Sequence, residues 1–331
     1  MGKKLRVSRI VSILLIVLVL VSAVFLFRSP HGNNNNGNAP LFVLIPKTLN
    51  PENDFWAALI GGAEMAANDF DVELALLGVY SEDDIEGQNR KILEAIEMEP
   101  AVILLAASSA TETIPYIEKA MDAGIYVLLV DSVVEKEIGS GVVATNNIEI
   151  GQKLSDYARQ FLSEDSSIGI IGFVQEAATA IEREQGIREG LGEFEENIIT
   201  VKYGGFNYDR AYALTKEMIA NYPEIEVIFG MNEDSSVGAA RAIYSLGLAD
   251  EIMLFGVDNS LEQVQFLERG VFRAIVIQKP VNMGYLSVEL GVQVLAGRSQ
   301  GEGIDTGSVL ITQDNVHLRE NQQLLFPLPG Q

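Results

Sequence analysis

The stretch AVILLAASSATETIPYIEKAMDAGIYVLLVD, residues 101–131, decides the fold of this chain. Two short apolar runs, 102–107 and 126–131, flank a segment over 111–123 with helical periodicity. Runs that are apolar throughout are typical of parallel strands buried on both faces, and such strands are usually joined through a helix. The stretch therefore predicts one strand-helix-strand unit of an α/β fold.

The same alternation extends along most of the chain. Strands are predicted at 41–45, 72–78, 102–107, 126–131, 168–173, 199–204, 227–232, 252–258 and 272–278. Helices are predicted at 55–69, 85–98, 111–123, 149–163, 178–193, 209–221, 235–246, 261–269 and 281–296. An ordinary sheet has about five or six strands. The pattern thus predicts two doubly wound parallel-sheet lobes, an arrangement typical of helices covering both faces of a sheet.

Composition excludes several classes of function. The chain has 331 residues and a formal net charge of -23, and its first 28 residues carry five basic side chains and no acidic one. A body this acidic repels nucleic acid and anionic lipid headgroups. The chain has no cysteine, and its two histidines, His31 and His317, are far apart in the sequence. We therefore expect no disulfide, no metal site and no histidine-based catalytic triad.

The N-terminal segment predicts attachment to a membrane. After a basic segment over 1–9, residues 10–27 are apolar except for Ser12 and Ser22, which is long enough for a transmembrane helix with its basic end in the cytoplasm. A cleavable signal is the alternative, because Val21-Ser22-Ala23 suits a signal peptidase, although the apolar run continues beyond it. Residues 28–39 have the composition of a flexible linker. The body is therefore expected on the extracytoplasmic face, anchored there or released to the cell envelope.

Polar and aromatic residues recur directly after the predicted strands, where open parallel sheets bind ligands. They are Asn53, Phe55, Trp56, Ser108, Ser109, Asp131, Tyr208, Asn232, Glu233, Asp234, Asp258, Asn259 and Gln278. Asn and Asp also cap helices, so each residue alone carries little information. Carboxylates and amides suit the hydroxyls of a sugar, and flat aromatic rings suit its C–H faces. Their recurrence in both halves of the chain indicates a cleft for a neutral polyol.

Several segments resemble the ribose-type periplasmic sugar-binding proteins. These are KTLNPENDFWAALIGGAEMAAND, VILLAASSATETIPYIEKAMDAGIYVLLVDS, VVATNNIEIG, EREQGIREGL, YDRA, VIFGMNEDSSVGAARAI, LFGVDNS and AIVIQKPVNMG, which together cover nearly all of 41–312 in the family's order. The resemblance implies two α/β lobes joined by three hinge crossovers, with a sugar between them. We place one lobe at 40–145 with 279–306 and the other at 146–278 with 307–331. Sugar-responsive repressors share this fold but begin with a helix-turn-helix.

The resemblance also implies the sugar-binding residues. They are Asn53, Phe55, Trp56, Asp131, Arg183, Tyr208, Asn232, Asp258 and Gln278, with Ser108 and Ser132 as possible additions. Two departures leave the sugar open. The ribose-type pattern has an arginine where this chain has Ser132, and Pro51-Glu52 lengthen the first loop. Xylose, ribose, another pentose, a hexose or a sugar-like signal all remain compatible with the pattern.

An enzyme is the weaker interpretation. The first strand-turn-helix lacks the glycines of a dinucleotide-binding loop, and neither a phosphate-binding GxxxxGK[ST] nor a GxSxG motif occurs. Glu233 and Asp234 are interpreted as acids that favour a helix start, and SEDDIEG at 81–87 lacks the late glutamate of a calcium loop. No catalytic residue and no cofactor are therefore predicted.

Two partners remain open for such a receptor. The family's usual partner is an ABC-type sugar permease, to which the closed receptor delivers its ligand. A receptor that keeps its membrane anchor could instead present the closed form to the ectodomain of a two-component sensor histidine kinase. Both uses need the same ligand-driven closure, so the binding residues do not separate them.

Overall fold

The computed structural model describes residues 39–51, 53–299 and 303–326. The predicted basic segment, the apolar span of residues 10–27 and the linker up to residue 38 lie outside the described residues. Within the described part, no helix combines the length and the apolar character needed to cross a membrane.

Short, mostly apolar strands form the framework of the described chain. In chain order they are β1 (Leu41–Ile45), β2 (Glu73–Leu76), β3 (Val102–Leu105), β4 (Tyr126–Val130), β5 (Gly141–Ala144), β6 (Ser167–Gly172), β7 (Ile198–Tyr203), β8 (Ile225–Gly230), β9 (Met253–Val257), β10 (Phe272–Ile277), β11 (Ile304–Asp305) and β12 (Val309–Thr312). They form two six-stranded sheets, in the spatial orders β11-β5-β4-β3-β1-β2 and β12-β10-β9-β8-β6-β7. The two orders correspond strand for strand, so the two halves share one architecture.

Helices connect the strands and cover both sheets. They are α1 (Asp54–Asp69), α2 (Ile85–Glu97), α3 (Ile114–Asp122), α4 (Asn147–Ala158), α5 (Ala178–Leu191), α6 (Tyr208–Asn221), α7 (Glu233–Leu246), α8 (Leu261–Glu268), α9 (Pro280–Leu295) and α10 (Arg319–Leu325). Residues 101–131 illustrate how the sequence determines where a helix begins and ends. Pro115 stands in the first turn of α3, and Gly124, with φ +82°, follows its end, as is common at the two ends of a helix.

The core of the first lobe has one apolar layer on each face of the sheet. Phe42 and Leu44 of β1 pack with α1 and α9, whereas Val43 and Ile45 pack with α2 and α3. Side chains alternate between the faces of a strand, so an unbroken apolar run is what a strand covered on both sides requires. The second lobe is built in the same way, with α4 and α5 on one face and α6, α7 and α8 on the other.

The chain passes between the two sheets three times. It leaves the first sheet after β5, returns to it after β10 and leaves it again after β11. Two of these passages lie side by side, because the Thr145 and Thr306 hydroxyls are 2.9 Å apart and buried. Asn146 N–H also donates to Asp305 Oδ1 at 3.1 Å. These hydrogen bonds tie the first and third passages together next to the cleft.

The two-lobed α/β fold confirms the predicted class, with one correction to the sheets. All pairs of the first sheet are parallel, but β12 pairs with β10 antiparallel in the second. The predicted parallel lobes therefore hold except at this edge strand, which was not predicted. The predicted strands also missed β5, β11 and β12, which contain only two to four residues.

Candidate functional site

A cavity of about 50 Å³ lies between the lobes at the carboxyl ends of the strands. Its lining consists of Lys47, Asn53, Phe55, Trp56, Glu82, Asp131, Phe173, Thr179, Arg183, Phe206, Asn232, Glu233, Asp234, Asp258 and Gln278. Both lobes contribute charged, amide and aromatic side chains. A ligand in this cavity would therefore contact both lobes at once.

Eight of the nine residues predicted to bind sugar line this cavity. They are Asn53, Phe55, Trp56, Asp131, Arg183, Asn232, Asp258 and Gln278. Tyr208 lines an adjoining space of about 380 Å³, which shares Asn53, Glu82, Phe206 and Asp234 with the cavity. The possible additions, Ser108 and Ser132, line neither space. Ser132 Oγ instead donates to Asp131 Oδ2 at 2.6 Å, and Ser108 Oγ is buried without a hydrogen-bond partner among the described residues.

The loop after β1 brings an amide and two aromatic rings to the cavity. Asn53 caps α1, and its Oδ1 accepts the Trp56 N–H at 3.1 Å. The Phe55 and Trp56 rings meet edge to face, with their centroids 5.0 Å apart. Trp56 is buried, and its Nε1 donates to Glu82 Oε1 at 2.7 Å. The cap thus starts the helix and orients its first aromatic residues.

Asp131 follows β4 and faces a lysine. Lys47 Nζ lies 3.3 Å from Asp131 Oδ2, and both side chains are buried. No arginine follows Asp131, since Ser132 is in that place, so Lys47 supplies the cation beside this carboxylate. The segment LIPKTLN contains this lysine, but in the sequence a lysine two residues beyond a strand end looks no different from a surface lysine.

Arg183 of α5 is held by the protein on several sides. Its Nε donates to Asn147 Oδ1 at 2.9 Å, and its Nη1 donates to Met231 O at 2.8 Å. Nη1 also lies 3.6 Å from Asp258 Oδ2. The Phe173 ring stands 5.9 Å from the guanidinium carbon. The guanidinium is therefore fixed before any ligand arrives.

Asp258, after β9, is the centre of a hydrogen-bond network in the second lobe. Its Oδ1 accepts from Gln278 Nε2 at 2.6 Å, and its Oδ2 accepts the Glu233 N–H at 3.2 Å. Asn232 caps α7, where its Oδ1 accepts the Ser235 N–H at 3.0 Å. Asn232 thus caps a helix and also lines the cavity.

Three cavity carboxyls hold protons more tightly than usual because they are removed from water. Burial raises the pKa of Glu82 to about 7, although Lys47 and the Trp56 hydrogen bond oppose the shift. Burial also raises the pKa of Glu233 to about 8, and the neighbouring Asp258 and Asp234 carboxylates raise it further. The pKa of Asp234 rises to about 6 for the same main reason.

The sequence-based set left out seven lining residues. They are Lys47, Glu82, Phe173, Thr179, Phe206, Glu233 and Asp234. Glu233 and Asp234 were among the polar residues noted after the predicted strands, but they were interpreted as acids at a helix start, which they also are. Phe173 ends a predicted strand, whereas Glu82 lies in a polar loop where nothing in the local pattern separates it from Glu86. Position relative to the second lobe, not local pattern, makes Glu82 a lining residue.

The lining suits the binding of a small polar molecule. Among residues 39–51, 53–299 and 303–326, no group of three or more His, Asp or Glu residues is placed to hold a metal ion. The lining offers fixed acceptors, amide groups and a guanidinium around aromatic surfaces, all of which can meet a small polar molecule.

Comparisons with known proteins agree with this geometry. The model of the periplasmic binding protein domain family matches residues 42–299. A D-ribose/D-allose-binding protein of Pseudomonas aeruginosa is 23% identical over 268 residues, covering 78% of this chain and 83% of its own length.

Two crystal structures extend the comparison. The crystal structure of a sugar transporter from Clostridium phytofermentans is 37% identical in sequence, with a TM-score of 0.78. The match covers 99% of that chain and 82% of this one. An ABC transporter solute binding protein from Agrobacterium vitis, with bound D-fucose, is 26% identical with a TM-score of 0.82, over 100% of its chain and 86% of this one. Because the family model spans most of the described residues and the fold and cleft agree with it, the chain belongs to the periplasmic binding protein domain family.

Proposed function

We propose that this protein is an extracytoplasmic receptor that closes around a monosaccharide, either a pentose such as xylose or ribose or a hexose, and delivers it to an ABC-type sugar permease. The observation that carries the proposal is the two-sided cavity, in which Asp131 and Asp258 approach from opposite lobes. Relatives named for ribose and allose, and a solved relative with bound fucose, support a sugar as the ligand.

The chemistry of the lining supports a sugar ring. Asp131 and Asp258 offer acceptors to hydroxyl groups, Arg183 offers fixed donors, and Phe55 and Phe206 offer apolar faces. No catalytic step is assigned to these groups, because binding alone accounts for their arrangement. A ligand that contacts both lobes stabilises the closed form over any open form.

Attachment to the membrane is part of the proposal. Residues 10–27 would anchor the receptor on the outer face of the cell membrane, and the following linker would let it move above the surface. An uncleaved anchor also favours a second use, in which the closed form reports the sugar to a sensor histidine kinase. Both partners need only the closed receptor.

A thermal-shift screen of the purified full chain against pentoses, hexoses and polyols tests the binding proposal. A ligand that binds only the folded state must raise the melting temperature, Tm. We expect a selective rise with one monosaccharide, together with a change in the fluorescence of Trp56, the single tryptophan of the chain. A Tm that stays constant across the whole panel would contradict a receptor for neutral sugars.

Uptake of the labelled sugar in cells lacking the protein separates the two partners. Loss of uptake supports delivery to a permease. Normal uptake with loss of sugar-dependent gene induction supports the sensor kinase instead.

A further inference from the structure

The cavity contains more acidic than basic side chains. Its basic residues, among those that the structure describes, are Lys47 and Arg183. Lys47 Nζ lies 3.3 Å from Asp131, and Arg183 Nη1 lies 3.6 Å from Asp258. Each cation therefore already faces an aspartate, and Lys47 offsets only part of the rise in the pKa of a further carboxyl, that of Glu82.

Glu82 and Asp234 add two carboxyls whose hydrogen bonds come from uncharged groups. Glu82 Oε1 accepts from Trp56 Nε1 at 2.7 Å, and Asp234 Oδ2 accepts from Asn232 Nδ2 at 3.2 Å. Such donors satisfy an oxygen but leave its negative charge unbalanced. The charges of Asp131 and Asp234 add to the rise in the pKa of Glu82, which indicates that these acids interact across the cavity.

Glu233 has an oxygen with no partner. Its Oε1 accepts the Tyr208 hydroxyl at 2.7 Å, whereas its Oε2 is buried and accepts no hydrogen bond from any described residue. Glu233 is only 7% exposed and lines the cavity. A buried acceptor without a donor is unfavourable, and more so when it carries charge. The lining is thus incomplete at this atom, and a donor from the ligand would complete it.

Three kinds of positive charge could complete such a site. A metal ion requires several ligating groups together, and no described group of three or more His, Asp or Glu residues is placed for one. Protons on the carboxyls would remove the charge, but a protonated Glu233 would then bury a donor as well as an acceptor. An ammonium group brings three donors and one positive charge in a small volume.

We propose that the ligand of this cavity carries a protonated amine, as an amino sugar does, and that this amine donates a hydrogen bond to Glu233 Oε2. The carboxyls of Glu82 and Asp234 supply further negative charge around the amine. The sugar hydroxyls keep Asp131, Asp258 and Arg183 as partners. This inference rests on the proposed sugar-receptor function and names the chemical class of its ligand.

Calorimetry of the full chain with matched sugars tests the inference. Glucose, galactose and mannose are each compared with the 2-amino sugar and with the N-acetylated form, below the pKa of the free amine. An ionic hydrogen bond predicts that at least one amino sugar binds about 10- to 100-fold tighter than its parent sugar. The N-acetyl form keeps the nitrogen but loses the charge, so we expect it to lose this preference.

The variant Glu233→Gln identifies the contact. It keeps the shape of the side chain and removes its charge, so the preference for the amine should fall to within about threefold of unity. The matched control is Glu226→Gln, an exposed position on β8 of the same lobe, which should keep the wild-type preference. The preference is a ratio of two affinities within one variant, so a general loss of stability does not imitate the effect.

The outcomes separate this inference from the proposed function. If neutral sugars bind and amino sugars bind no tighter, the inference is wrong and the sugar receptor stands. If neither class binds, both are wrong. An amine preference that survives Glu233→Gln overturns the assigned contact. Calorimetry in two buffers of different ionisation enthalpy measures whether binding takes up protons. Tight binding of a neutral sugar with proton uptake would also overturn the contact.

Discussion

At the residue scale, two aspartates adopt a backbone conformation that most residues avoid. Asp131 has φ +65° and Asp258 has φ +71°, and each directly follows a central strand of its own sheet. Their N–H groups donate to Val143 O and Val276 O on the neighbouring strands, both at 2.9 Å. A non-glycine residue at positive φ costs about 1–3 kcal/mol, and Asp is among the residues that tolerate it best. The strain occurs at matching sites of both lobes, where it presents a carboxylate to the cleft.

Lys47 is a residue whose removal should weaken ligand binding. We expect Lys47→Met to reduce the affinity for the natural ligand by about tenfold or more, because it leaves the buried Asp131 carboxylate without its cation. Titration calorimetry measures this loss. The matched control is Lys136→Met in the same lobe, whose exposed pair with Glu118 should contribute less than about 1 kcal/mol. Unchanged affinity in Lys47→Met would show that the lysine only balances charge in the empty cavity.

At the element scale, each lobe contains a pair of helices in backbone contact at glycines. A Cβ on Gly284 of α9 would stand 1.9 Å from Leu59 O of α1. A Cβ on Gly186 of α5 would stand 2.1 Å from Ile148 O of α4. These glycines let the helices pack more closely than side chains allow. Since α1 and α5 each carry cavity residues, the close packing helps to fix the position of the site.

The change Gly284→Ala should destabilise the protein, whereas Gly61→Ala should not. The methyl group at position 284 meets backbone atoms that cannot move aside alone, so we expect a loss of about 1–3 kcal/mol or more. Position 61 lies on α1, and its added Cβ meets nothing within 4 Å, so better helix propensity should stabilise by about 0.5–1 kcal/mol. Urea unfolding of both variants measures the difference. Equal stability would mean that α9 moves away without cost.

Long apolar strands were predictable and short ones were not. The run LFVLI has no polar position, because both faces of β1 are covered, and this is why its pattern is clear. In contrast, β11 has two residues and exists only because β5 lies beside it. The antiparallel strand β12 was likewise not predictable, since its direction follows from the third passage of the chain and not from its own residues.

At the scale of the whole molecule, the sequence predicted the position of the cleft better than the charge of its lining. The strand ends of both halves identified most of the lining, because the carboxyl ends of parallel strands meet at one edge. Glu82 was missed because its place in the lining depends on the lobes facing each other, and Lys47 because its pairing with Asp131 leaves no mark in the sequence. Only the folded chain shows that Glu82 lies near Asp131 and Asp234 and that no third basic side chain joins them in the described lining.

The acidic cavity should make the ligand-free molecule less stable as the pH rises. Glu82, Glu233 and Asp234 have pKa values of about 7, 8 and 6 in the fold, above the values of about 4 expected in the unfolded chain. Between about pH 4 and pH 8 the folded protein therefore holds more protons than the unfolded chain. The contribution of these three carboxyls to the free energy of unfolding therefore falls over this window and levels off above it.

The change Glu233→Gln isolates one contribution to this fall. Glu233 faces Asp54, Asp234, Asp258 and the Tyr208 hydroxyl, and the three acids all disfavour its ionised form. We expect the Tm of the wild-type protein to decrease from about pH 5 to pH 8 and that of the variant to decrease by at least about 2 °C less. Glu226→Gln should follow the wild type, since that side chain is exposed. Parallel curves for Glu233→Gln and the wild type would mean that Glu233 is ionised without cost in the empty cavity, and the charge of the cleft would then place no demand on its ligand.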